Sequence, residues 1–282
     1  MSQNKLIDST TVGLLFARTE SKDELKPEAW ADQIMHLASI SKSANALLCV
    51  HADDGFGKTT FLAQLFDKLN ASMDIVTINP ATASLQPGWL TQGLAHWLSS
   101  DRAGITSIHQ KLSAIKDSDR PILVCVDTGD FIQPSQLALE IPAMLNLADA
   151  VGLRLSILVC CSPEKSRAIQ NDSQLCNRLI FNKALPPMSE AELVKITISK
   201  LKRANVDPSM LDEKRLHQLA LSAGGSPLRM TKLICSQLGL DIPSAQKKSS
   251  ITSKPTSPSR NTKKQQELSA VILDDLLAPP NK

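Results

Sequence analysis

A chain of 282 residues, 42% of them hydrophobic, can bury one sizeable core or two small ones. A net charge of +3 is too mild to argue for nucleic acid by itself. No apolar run approaches the ~20 residues needed to span a bilayer, so composition speaks for neither a nucleic-acid protein nor a membrane-spanning one.

Residues 1–27 read as a polar leader with one apolar patch, Val12–Phe16, suited to covering an edge of the core. The polar start is unlike a signal peptide. A helix is predicted over 27–43, with Trp30, Ile34, Leu37 and Ile40 near one face. Ala46-Leu47-Leu48-Cys49-Val50 is a continuous apolar run of the kind a buried parallel strand shows. A glycine-rich turn follows, then Phe61, Leu62, Leu65, Phe66 and Leu69 at helical spacing up to Asn70. Further strands are expected at 75–78, 121–126, 153–160 and, briefly, 179–181. Helical patterns occupy 89–99, 105–116 and 136–151, the last with Pro142 inside it as a kink. Strands alternating with helices, without hairpin signals, predict an α/β fold with an open parallel sheet.

After Pro186-Pro187 only helical patterns remain. Ser189 and Glu192 form a capping box for a helix to about Ala204. Pro208 opens a second helix that Gly224-Gly225 ends, and Ser226-Pro227 opens a third to about Leu238. The expected organisation is a leader (1–27), an α/β domain (28–184), a helical lid (185–241), a basic linker (242–264) and a short amphipathic helix or tail (265–282). The linker has no acidic residue between Pro243 and Lys264 and too little apolar surface to offset its ordering entropy. The tail is either a fraying end or a docking segment for a partner or for the protein's own body. Six cysteines, mostly inside apolar runs and without C-x-x-C spacing, read as reduced buried thiols in a cytosolic protein.

The chemistry concentrates at Ala52-Asp53-Asp54-Gly55-Phe56-Gly57-Lys58-Thr59-Thr60. This is the G-x-x-x-x-G-K-[ST] pattern with Ala52 in place of the first glycine. Such a loop wraps a polyphosphate with successive backbone N–H groups, and the helix behind it adds partial positive charge. Lys58 would reach the outer phosphates and the Thr59 hydroxyl would ligate Mg²⁺. The reading is an ATP site with Mg²⁺, in which residues 53–60 bind the nucleotide. A second element supports it: four apolar residues end in Asp127, a carboxylate placed to hold Mg²⁺ at a strand's carboxyl end. Thr128 follows and cannot act as a general base, and Asp130 stands two residues further on.

The order of these pieces resembles AAA+ ATPases, and more narrowly the ExeA-like secretion-pathway A group and the AAA+ region of DamX-type cell-division proteins. The resemblance covers about residues 25–240. It implies a three-layer P-loop sheet with a small C-terminal helical lid. It also implies a Glu where this chain has Thr128. Leu158-Val-Cys-Cys-Ser162-Pro163-Glu164 matches a fourth strand whose end, Ser162, is the polar sensor beside the γ-phosphate. Leu175-Cys-Asn-Arg178-Leu matches a step whose Arg178 is the candidate arginine finger for a neighbouring subunit. Gly225-Ser226-Pro227-Leu228-Arg229 matches a Gly-x-Pro-Arg lid motif with Arg229 one residue late. One helical step rotates a side chain about 100°, which turns Arg229 away from the expected direction.

Three functions follow from this resemblance. The first is a cytoplasmic ATPase or nucleotide switch, peripheral at the inner membrane, acting on an envelope partner through its C-terminal helix and assembling as a homo-oligomer. The second is a degenerate nucleotide-binding scaffold with little hydrolysis. The third is a DNA-associated ATPase of the kind that serves transposition.

Overall fold

The computed structural model describes Leu15 and residues 27–78, 88–97, 110, 112–113, 120–127 and 129–240. The chain divides into two units, Met1–Ile242 and Pro243–Lys282, and every described residue lies in the first. The expected linker and tail helix therefore lie outside the described residues. So does the 105–116 pattern apart from Gln110, Leu112 and Ser113.

The apolar runs become five strands: β1 (Leu47–His51), β2 (Asp74–Ile78), β3 (Ile122–Val126), β4 (Leu155–Cys161) and β5 (Leu179–Ala184). All pair in parallel in the order β2-β3-β4-β1-β5. The three inner strands are apolar almost throughout because both their faces are covered. Leu48, Val50, Leu123, Cys125, Leu158 and Cys160 enter one cluster. Their chain neighbours Leu47, Cys49, Val124, Val126, Ile157 and Val159 enter the other.

Helices cover both faces: α1 (Glu28–Ser43), α2 (Lys58–Leu69), α3 (Trp89–Trp97), α4 (Pro134–Val151), α5 (Pro163–Asn171) and the short α6 (Ser173–Cys176). Three more follow: α7 (Glu190–Arg203), α8 (Glu213–Ala223) and α9 (Pro227–Gln237). Residues of α1, α2 and α7–α9 share the first cluster, and residues of α3, α4 and α5 share the second. The buried Leu15 also joins the first cluster, where the apolar patch of the leader was expected to serve as cover.

Several boundaries moved for identifiable reasons. β5 runs to Ala184, longer than the three-residue apolar signal, because as an edge strand it carries polar residues. α8 begins at Glu213, not Pro208. Pro208–Met210 forms one 3₁₀ turn, and the Asp212 carboxylate accepts the Arg215 N–H at 2.6 Å to start the helix. α5 was not foreseen, since Pro163–Asn171 has few apolar residues, but Ser162 caps it and Pro163 occupies its first position. α4 starts at Pro134 and contains Pro142 in its interior. The expected thiol burial holds for five cysteines, whereas Cys176 on α6 is exposed. Burial pushes the Cys125 and Cys160 thiols up, as suits packing rather than reactivity.

The two ends of α7 and α3 illustrate how helix N–H groups are satisfied. The Ser189 Oγ accepts from the Glu192 N–H at 3.3 Å, and Glu192 Oε2 accepts from the Ser189 N–H at 2.7 Å. At α3 the cap comes from another element: the Glu140 carboxylate on α4 accepts the Gly88 and Leu90 N–H groups at 2.7 and 2.8 Å. Burial raises the Glu140 pKa, and these backbone donors hold the rise back.

Candidate functional site

β1 delivers the chain to its carboxyl end at His51, and the loop turns there into α2. Gly55 and Gly57 have φ of +85° and +94°, a region costly for any residue with a Cβ. Space is closed as well. A Cβ at Gly55 would lie 2.5 Å from the Leu228 Cβ, and one at Gly57 would lie 2.9 Å from the Trp30 ring. Ala52 is a different case. Among the described residues Asn205 is the only non-glycine with positive φ, so the backbone at Ala52 accepts an alanine. Its N–H donates to the Cys161 carbonyl at 3.1 Å, which pins the loop to β4.

Lys58, 8% exposed, opens α2 and points back into the loop. Its Nζ donates to the Ala52 carbonyl at 2.6 Å and to the Asp53 carbonyl at 3.3 Å, and lies 3.6 Å from Asp54 Oδ1. Asp53 and Asp54 are exposed on the outside of the turn, and Phe56 packs partly against the first cluster. Thr59 Oγ1 donates to Asp127 Oδ2 at 3.0 Å. Asp127 is buried at the carboxyl end of β3, and β4 alone separates β3 from β1. A hydroxyl and a carboxylate held together where a glycine loop enters its helix fit Mg²⁺, which takes one or two protein oxygens and completes its shell with phosphate and water. Among the described residues no group of three or more His, Cys, Asp or Glu side chains could hold a metal alone.

The remaining predicted residues are not all brought to this point. Ser162 follows β4 directly; its hydroxyl accepts the Lys165 N–H at 3.2 Å as the cap of α5, and its own N–H donates to Asp130 Oδ1 at 2.9 Å. Arg178 sits at the opposite end of the sheet, where its carbonyl accepts the N–H of Leu47, the first residue of β1. Its guanidinium pairs with Asp149 at 3.0 Å and with Asn146. Arg229 is exposed on α9. Leu228 takes the inward place instead: its N–H and the Ser226 hydroxyl both donate to the Gly55 carbonyl, at 3.3 and 3.2 Å. Trp30 was read only as a helix-face residue. It lies against Gly57, stacks edge-on to Phe61 at 5.7 Å and donates its ring N–H to the Pro186 carbonyl at 3.0 Å. Its full burial beneath the loop has no short-range signature in the sequence.

No protein-family model matches the sequence, and no curated protein is a recognisable relative. Solved structures do match. The ADP form of the Aeropyrum pernix ORC2 protein superposes with a TM-score of 0.56 at 15% identity, over 80% of this chain and 68% of that one. Cdc6p from Pyrobaculum aerophilum gives 0.55 at 15%, over 83% and 67%. The Walker-type ATPase PABY2304 of Pyrococcus abyssi gives 0.55 at 12%, over 93% and 78%. The fold is the one these three structures share. Within this fold, Ser162 directly follows the strand between the loop strand and the Asp127 strand, and the start of α9 reaches the loop through Gly55. No helix among the described residues is long and apolar enough to cross a membrane.

Proposed function

We propose that the chain binds ATP with Mg²⁺ in the loop of residues 52–60 and uses it as an AAA+ switch or ATPase. The observation that carries this reading is the 3.0 Å contact between Thr59 and Asp127 beside a glycine loop that a Cβ would obstruct. Backbone N–H groups of the loop and Lys58 would take the phosphates; Lys58 would exchange its carbonyl and Asp54 contacts for them. Mg²⁺ held by Thr59 and Asp127 would draw charge from the phosphate oxygens. Arg178 cannot reach its own loop, since the five residues of β1 put about 15 Å between them. An arginine finger at Arg178 therefore serves a second copy of the chain. Arg229 is left out of the phosphate site in this reading, and Ser162 acts through its backbone and as a helix cap.

The wider role follows the resemblance to the secretion-pathway A type: a cytoplasmic protein acting on an envelope partner, with residues 242–282 as tether. A scaffold that binds ATP without hydrolysing it is the second reading, favoured by Thr128 after Asp127. Steady-state turnover beside a thermal-shift titration separates them. Saturating ATP raises the melting temperature of the wild type, and Lys58→Ala abolishes the rise. An undiminished rise in Lys58→Ala would remove the loop as the site. Wild-type turnover no faster than that of Lys58→Ala, with ATP still bound, would leave the scaffold.

A further inference from the structure

Cleavage of a γ-phosphoryl bond by water needs a group that orients the water, and Thr128 offers no carboxylate for it. The acids around the loop are few. Asp127 is engaged with Thr59, Asp54 is 99% exposed and faces Lys58, and Asp53 is exposed on the turn. Asp130 is exposed as well, but unlike the two loop acids its position is fixed from two sides. Gly129 packs so closely on β4 that an added Cβ would lie 2.6 Å from Val159 Cγ1 and 3.2 Å from the Cys160 carbonyl. This draws the 3₁₀ turn Gly129–Phe131 over the carboxyl end of β4. There Asp130 Oδ1 accepts the Ser162 N–H at 2.9 Å. β4 is the strand between the one that delivers the phosphate loop and the one that delivers Asp127.

The geometry points to Asp130 as the catalytic carboxylate, orienting the attacking water with the oxygen not used by Ser162. This rests on the ATP-binding reading above. The water oxygen bonds to the γ-phosphorus, and the bond from that phosphorus to the β–γ bridging oxygen breaks with its electron pair going to ADP. The water proton passes by way of Asp130 to the released phosphate.

Asp130→Asn is the discriminating substitution, because an amide oxygen still accepts the Ser162 N–H but cannot take a proton. Expected are a turnover about 100-fold below wild type, an unchanged melting temperature without nucleotide, and an unchanged rise with ATP–Mg²⁺. Bound ATP should then be recovered intact from the variant. The pair Asp130→Glu and Asp130→Gln repeats the comparison if the first variant folds poorly, the acid retaining turnover and the amide losing it. Turnover of Asp130→Asn within about threefold of wild type overturns the assignment. So does a wild type that binds ATP but turns over no faster than Lys58→Ala. If ATP fails to stabilise the wild type at all, the binding reading falls first and takes this one with it.

Discussion

At the scale of single residues, the phosphate loop and the C-terminal helices are joined by one carbonyl. The Gly55 oxygen accepts both the Leu228 N–H and the Ser226 hydroxyl, so the glycine is constrained by φ and by contact together. Gly55→Ala should lose about 1–2 kcal/mol from the backbone alone and more from the clash, read as a lowered denaturant midpoint. Adding Leu228→Ala should return little, because the closest atom to the new methyl is the Leu228 Cβ, which alanine keeps. A full recovery in that double variant would show that the Leu228 side chain beyond Cβ, and not the backbone, sets the cost. Part of the arrangement was legible at this scale: spacing singled out Lys58, Thr59 and Asp127, and the structure puts Thr59 on Asp127 and turns Lys58 back into the loop. The Arg229 displacement was legible too, since the register of α9 follows from Ser226-Pro227. Asp130 was legible only as a neighbour. What aims it is the backbone N–H of Ser162, just past β4 and more than thirty residues along the chain, and no local pattern records such a contact.

At the scale of elements, apolar runs announced the strands because an inner parallel strand needs both faces apolar. What escaped was set by caps: α5 as a whole, which rests on Ser162 and Pro163 with a polar surface of little periodicity, and the start of α8, which Asp212 sets five residues after Pro208. α3 depends on Glu140, donated by α4. Glu140→Ala leaves the buried Leu90 N–H without its acceptor, at about 1–3 kcal/mol, and the half-buried Gly88 N–H at less, measurable by urea unfolding. The pH dependence has a definite sign. Because the folded-state pKa of Glu140 lies above its ordinary value of 4.5, its contribution is fully present below 4.5 and declines as pH rises through the raised value. Relative to Glu140→Gln, the wild type should therefore lose stability as pH increases above 4.5. A wild-type advantage that grew with pH would contradict the burial argument.

At the scale of the whole molecule, the ends of the sheet divide the labour. The glycine loop lies at the carboxyl end of β1 and Arg178 at its amino end, held half-exposed by Asp149. That ion pair is worth at most about 1 kcal/mol at such exposure, so Arg178→Ala should leave folding nearly unchanged. If Arg178 serves a second copy, Arg178→Ala and Lys58→Ala subunits should each be inactive alone and regain ATP turnover when mixed. One of the two kinds of mixed interface would then pair an intact loop with an intact arginine. No recovery on mixing, with both variants folded, would remove Arg178 as an arginine finger.

The strand order also has a consequence for how the chain is made. β1 has no partner near it in sequence. Its neighbours are β4 and β5, whose first paired residues are Ile157 and Leu179. At about 5–20 residues per second, the ribosome needs roughly 5–20 s after His51 emerges before Cys161 follows. Throughout that interval an apolar strand with two open edges waits on the nascent chain. The segment that will carry the glycine loop is thus the one most in need of shelter during synthesis.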